Sequence, residues 1–142
     1  MKFKPLETMD EWTWFKERTH VIRCEDTQGI VAFDDSGIAA VAVLDSFTVD
    51  GCSVHFAIDR PIVIRSGFLN EIARHAFVSC NRKRIFGLVP SNNAKALKLD
   101  KHIGFTEVAR VPNALAEGVD YIVMVMEKKD CRWLPEQLRE AA

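Results

Sequence analysis

The stretch Val89-Pro90-Ser91-Asn92-Asn93-Ala94-Lys95-Ala96-Leu97-Lys98-Leu99-Asp100-Lys101-His102-Ile103-Gly104-Phe105 carries the end of one element and the whole of the next. Pro90 ends the apolar run Ile85-Phe86-Gly87-Leu88-Val89, which reads as a buried strand. Ser91 or Asn92 can cap a following helix, because short polar side chains accept hydrogen bonds from the free N–H groups of a first turn. That helix runs to His102, and Gly104 stops it as a residue at ease in the left-handed region. Lys95, Lys98 and Lys101 mark its solvated side, and Asp100 reads as another solvated position.

Upstream, Phe68, Leu69, Ile72, Ala73, Ala76, Phe77 and Cys80 keep the i, i+3, i+4 spacing of one helix face. Ser66 is the expected cap and Asn81 the expected stop. Downstream, Thr106–Val111 and Tyr121–Met126 read as a closing strand pair around a loop, Pro112–Asp120. A β-α-β crossover is thus expected in the second half of the chain.

The first half has a different rhythm. Thr8 to about Arg18 reads as a helix with a capping box, Thr8 with Glu11, and an apolar face of Trp12, Phe15 and Met9. Ile30–Phe33, Ile38–Val49 and Cys52–Ile58 read as three antiparallel strands. Asp34-Asp35-Ser36-Gly37 makes one turn, and Asp50-Gly51 is expected to make a tight hairpin. Pro135–Ala142 is expected to close the chain as a short helix. With no repeat and no linker composition, residues 1–142 read as a single domain. Its expected class is α/β, with a mixed, mostly antiparallel sheet of six or seven strands flanked by helices.

The 142 residues are 48% hydrophobic and 27% charged, with a net charge of −1. That balance disfavours sequence-independent nucleic-acid binding, although Arg82-Lys83-Arg84 is a basic cluster that can serve as a local anion site. No apolar run reaches the ~20 residues of a membrane span, and the N-terminus lacks a signal-peptide core, so the expectation is cytoplasmic, with no membrane partner. Cys24, Cys52, Cys80 and Cys131 show no paired spacing and read as free thiols. His20, His55, His75 and His102 form no ligand pattern, so no metal is expected.

Asn93, Ala96, Gly104 and Phe105 together resemble the N-x-x-A helix ending in G-F of the GCN5-related N-acetyltransferase (GNAT) superfamily. The order of strands and helices over Gly29–Lys128 matches as well, and the terminal Asp130–Leu134 is similar to small divergent members, some of them phage-encoded. The resemblance implies transfer of an acetyl group from acetyl-CoA, as co-substrate, to an amine on a small molecule or a protein. It implies direct attack in a ternary complex. It also implies a splayed fourth and fifth strand, with the pantetheine arm bonded to the backbone of the fourth, much like an added strand. On this chain the fourth strand supplies Phe56, Ala57 and Ile58. Asn93 and Ala96 meet the arm, and the N–H of Phe56 or Ala57 polarises the carbonyl. The segment Ile64-Arg65-Ser66-Gly67 takes the pyrophosphate at a helix N-terminus, although the family's glycine-rich pattern is reduced here to Gly67.

The reaction needs a base for the amine and an acid for the thiolate. His55 is the candidate base, since histidine titrates near neutral pH, with Asp45 and Asp59 as alternatives. Many family members hold a tyrosine four residues before the glycine of G-F; this chain has Asp100 there, and its one tyrosine is Tyr121. A covalent acyl-cysteine has no visible His or acidic partner. Trp12, Trp14 and Phe15 can border the acceptor site, as the resemblance implies, and Trp133 with the terminal segment can form a homodimer contact. Two alternatives stay open: a non-catalytic binding protein of the same fold, and an unrelated α/β module binding through its arginines.

Overall fold

Ala39 to Leu44 is apolar at every position, and in the structure, a computed structural model that describes residues 1–140, the whole run is buried. Ala40, Ala42 and Leu44 join one core cluster, and Val41 and Val43 join another. A strand covered on both faces loses the alternation of a half-buried one. This strand is β3 (Gly37–Asp45). The others are β1 (Lys2–Pro5), β2 (Gln28–Asp34), β4 (Gly51–Ile58), β5 (Arg84–Pro90), β6 (Thr106–Ala116) and β7 (Val119–Glu127). They form one sheet in the order β1-β2-β3-β4-β5-β7-β6, in which only β4 and β5 run parallel. The expected α/β class holds, and β1 makes the sheet seven-stranded.

Helices cover the two faces unequally. On one face lies α1 (Met9–Lys16), whose Trp12 and Phe15 pack on Val31, Val41, Val43 and Ala57. On the other lie α2 (Phe68–Ala73), a π-helical continuation over Arg74–Ser79, and α3 (Ala94–Ile103). Phe68, Leu69, Ile72, Phe77 and Ile103 pack there against Leu44, Val54, Ile85, Ile122 and Met124. A short α4 (Glu136–Arg139) follows; Ala141 and Ala142 of the expected terminal helix lie outside the described residues.

Local expectations hold or fail for identifiable reasons. Thr8 caps α1 through the expected box: Glu11 N donates to Thr8 Oγ1 at 3.2 Å and Thr8 N to Glu11 Oε1 at 3.0 Å. Met9 is not on the apolar face but 75% exposed. The Asp50-Gly51 hairpin is absent. β3 ends at Asp45, Ser46 takes the left-handed conformation (φ 52°), and Gly51 already lies inside β4. Gly51 is required for space: a Cβ there would sit 2.5 Å from Cζ of Phe86. Ser66 does not cap α2. Gly67 (φ 96°) precedes the helix, and Ser66 Oγ donates to Ile62 O at 2.7 Å. For α3 the cap is Asn93, not Ser91 or Asn92. The expected loop over Pro112–Asp120 is mostly strand, since β6 and β7 extend to a tight turn at Glu117-Gly118. Trp133 is not a free contact surface: its Nε1 donates to Ile103 O at 2.8 Å and its ring packs on the core.

Candidate functional site

β4 and β5 pair at Gly51–Arg84, Cys52–Ile85 and Ser53–Phe86, and no further. Beyond that point β4 stays bonded to β3 through Ile58, and β5 to β7 through Pro90, so the two strands diverge inside one sheet. The antiparallel ladder shows which backbone groups face the opening. Asp59 N donates to Ala39 O at 2.9 Å. Hydrogen-bonded pairs alternate along such a ladder, so Ala57, His55 and Ser53 also turn their backbone toward β3. Val54, Phe56 and Ile58 therefore point N–H and C=O away from β3; the Ser53–Phe86 pair still engages Val54 N–H, and beyond it the C=O of Val54 and the groups of Phe56 and Ile58 face the gap. Ala57, expected to share in ligand contact through its backbone, has its N–H and C=O on the β3 side.

At the apex of the gap stands Gly87, the first residue of β5 past the paired stretch. A Cβ on Gly87 would lie 3.3 Å from Asp100 Oδ2. The carboxyl of Asp100 thus approaches β5 where the strands part, on the α2–α3 side. Asp100 is not a solvated helix residue: it is 7% exposed and its carboxyl accepts no hydrogen bond among the described residues. Burial pushes its carboxyl up to about 6. The sequence held a signal for this, since Asp100 falls three residues after Leu97 and three before Ile103, within the apolar stripe of α3.

On the opposite face of β4 stands His55, with Ser53 and Ala57. Its Nε2 lies 2.9 Å from Oδ1 of Asp45, which is itself buried. Asp45 pairs with Ser53 in register, so the two side chains are diagonal neighbours on one face. Two of the three candidate bases are therefore one hydrogen-bonded pair. The third, Asp59, is held by Arg18 Nη2 at 2.9 Å, and Arg18 stacks 3.7 Å over the Trp14 ring. That pair fastens the end of α1 to the end of β4.

The segment after β4 departs from a glycine-rich cradle. Pro61–Arg65 forms a 3-10 turn. Arg60 is committed to the β2–β3 turn, bonding Asp34 at 2.7 and 2.8 Å and holding that carboxyl down to about 2. Arg65 is exposed and makes no ion pair among the described residues. Asn93 accepts from Ala96 N at 3.1 Å, which commits its Oδ1 and leaves Nδ2. Phe56, Ile58, Ile64 and Ala96 all pack on the α2–α3 core cluster. Behind Phe56 the interior is nearly full: the cavity among Phe56, Leu69, Ile103 and Trp133 measures about 10 Å³, room for one water at most. A larger hollow of about 220 Å³ among Lys4, Gly29, Arg74 and His75 lies at the β1 edge, strands away from the gap. Burial pushes the Cys52 thiol up to about 12, so this cysteine holds no ready thiolate. Among the described residues no group of His, Cys, Asp or Glu converges as metal ligands, and no helix is long and apolar enough to cross a membrane.

A seven-stranded sheet that opens between a parallel β4 and β5, with helices on both faces, is the GNAT acetyltransferase fold. The structure is similar to the spermidine/spermine N-acetyltransferase SpeG of Vibrio cholerae, with a TM-score of 0.73 and 13% identity over 90% of this chain and 92% of that one. It is similar to a GNAT-family protein of Desulfovibrio desulfuricans (TM-score 0.71, 15% identity, 89% and 98% covered). It is also similar to the N-acetyltransferase PseH of Campylobacter jejuni, solved in complex with acetyl coenzyme A (TM-score 0.58, 20% identity, 83% and 77% covered). No protein-family profile and no curated protein sequence matches the chain.

Proposed function

We propose that this single domain is an N-acetyltransferase that moves an acetyl group from acetyl-CoA to a primary amine by direct attack in a ternary complex. The observation that carries the reading is the opened edge of β4. Inside a sheet, backbone groups without a strand partner call for another partner. An extended ligand with amides of its own, such as the pantetheine arm, suits the C=O of Val54 and the groups of Phe56 and Ile58. Because the interior behind Phe56 is nearly full, the arm lies along the strand edge. The alternation of the ladder makes Phe56 N–H, rather than that of Ala57, the donor to the thioester carbonyl.

The two faces of the gap divide the proton chemistry. Nε2 of His55 donates to Asp45, which leaves Nδ1 of the neutral ring to take a proton from the attacking amine. Asp45 is a positioning residue that fixes the tautomer. As the carbonyl carbon bonds nitrogen and releases sulfur, the leaving thiolate takes a proton from the Asp100 carboxyl on the other face. Arg65 and the first-turn N–H groups after Gly67 meet the pyrophosphate. Nδ2 of Asn93, with Ala96, borders the arm.

Isothermal titration with acetyl-CoA, desulfo-CoA and ATP tests the reading. The expected result is micromolar acetyl-CoA binding, weakened about tenfold by Arg65→Glu, the size of one lost charge-assisted hydrogen bond. No binding by folded protein at millimolar acetyl-CoA would refute it. The engaged Ser66 hydroxyl and the missing glycines favour one other reading, a binding protein that kept the fold; it predicts no amine-dependent release of CoA thiol.

A further inference from the structure

The α1 face of the sheet is half bare. Trp12 and Phe15 cover β2, β3 and β4, and among the described residues no helix packs on the same side of β5, β7 and β6. There the register sets Phe86 beside Val125, Leu88 beside Val123 and Pro90 beside Tyr121. The row continues onto β6 at Ala109, opposite Val123, and Val111, opposite Tyr121. Leu88 is 54% exposed and Val111 51%. Single exposed apolar residues need no explanation, but a contiguous surface across neighbouring strands does.

Its position identifies the occupant. Extending the parallel register of Ser53 and Phe86 by two residues sets His55 level with Leu88 on the other lip of the gap, and both side chains stand on this face. An amine that reaches His55 finds α1 over β2–β4, fastened at its end by Arg18 and Asp59. The rest of the molecule is left the bare strands. Among the described strand residues on this side of β5, β7 and β6 the one carboxylate is Glu127, and Arg84 holds it at 3.1 Å. A polyamine would find no free negative group there for its second ammonium, and an apolar tail would find Leu88, Val123 and Tyr121.

We propose that this face is the acceptor subsite and that it takes a monoamine bearing an apolar or aromatic tail. The inference rests on the acetyl-transfer reading for the role of His55, and its test is independent of acetyl-CoA. Tyr121 is the only tyrosine in the chain, so protein labelled with 3-fluorotyrosine gives one fluorine resonance, on this face. We would titrate it with 2-phenylethylamine and separately with spermidine, with and without CoA.

Phenylethylamine is expected to shift the resonance saturably, with spermidine about tenfold weaker or worse. Leu88→Glu, a change at an exposed position that leaves the fold intact, is expected to abolish the phenylethylamine response and strengthen that of spermidine. No saturable shift, equal shifts by the two amines, or an unchanged response in Leu88→Glu would overturn the proposal. A resonance that moves with protein concentration alone would overturn it too, because a second copy would then cover the face. Amine binding without acetyl-CoA binding would keep the subsite and refute the transfer reading; acetyl-CoA binding without amine binding would refute only the subsite.

Discussion

Asp100→Asn is expected to yield a protein that is more stable at pH 7 and slower at acetyl transfer. The carboxyl of Asp100 is 7% exposed and without a hydrogen-bond donor among the described residues, and burial raises it to about 6. In the unfolded chain an aspartate titrates near ~3.9. Between those values the folded state holds a proton that the unfolded chain has released, so stability falls as pH rises across that window. Two units correspond to about 3 kcal/mol, lost in full above pH ~7 and recovered below pH ~4. Asparagine has nearly the same shape and no charge, but its amide is also buried without a partner, which costs about 1–2 kcal/mol. The net gain at pH 7.5 is therefore about 1–2 kcal/mol, and at pH 4 the variant holds no advantage. Urea titrations of both proteins at the two pH values measure this. Asp100 can give the thiolate a proton only while it holds one, so turnover of the variant measured near pH 6 is expected to drop about 100-fold. A variant of unchanged stability and unchanged turnover would show that Asp100 is neither desolvated nor engaged. The conjunction of a stability gain with an activity loss is the trade expected of a strained functional group.

His55→Gln and His55→Ala, compared, separate the base from the scaffold. Glutamine can still donate to Asp45, so the buried carboxylate keeps a partner and stability changes by less than about 1 kcal/mol. Alanine leaves Asp45 buried and unpaired, at about 1–3 kcal/mol. Neither side chain accepts the amine proton, so both variants are expected to lose about 10²- to 10⁴-fold in turnover. Acetyl-CoA affinity stays within about twofold of the parent, because the backbone of residue 55 faces β3 and its side chain lies on the α1 side. Turnover by His55→Gln within threefold of the parent would remove His55 from the chemistry.

The sequence made some of these features legible and hid others. The apolar row that begins at Phe68, the Thr8–Glu11 box and the stop at Gly104 are local patterns, and each appears where the spacing puts it. β1 was not legible, because four residues carry too little periodicity and its pairing with β2 is remote in the chain. The Asp50-Gly51 pair looked like a hairpin turn because aspartate and glycine suit one. Its glycine instead answers to the Phe86 ring on β5, a contact between distant segments. The candidate site shows the same division. Asn93, Ala96 and His55 could be picked out one by one. The union of His55 with Asp45 depends on the β3–β4 register, and the exposure of alternate backbone groups on β4 depends on where β5 leaves it. Asp100 was readable in principle, since its place in the α3 stripe predicted burial, but a charged residue on a lysine-rich helix pointed the other way.

The opened edge of β4 underlies every step above, and residue-resolved amide exchange along Gly51–Ile58 tests it most directly. In the free protein, Phe56 and Ile58 amides are predicted to exchange faster than those of His55 and Ala57, which donate to β3. Saturating acetyl-CoA is predicted to slow Phe56 at least tenfold and to leave Ala57 nearly unchanged. A Phe56 amide as protected as that of Ala57 in the free protein, or one that acetyl-CoA leaves untouched, would contradict the open edge and the acetyltransferase built on it.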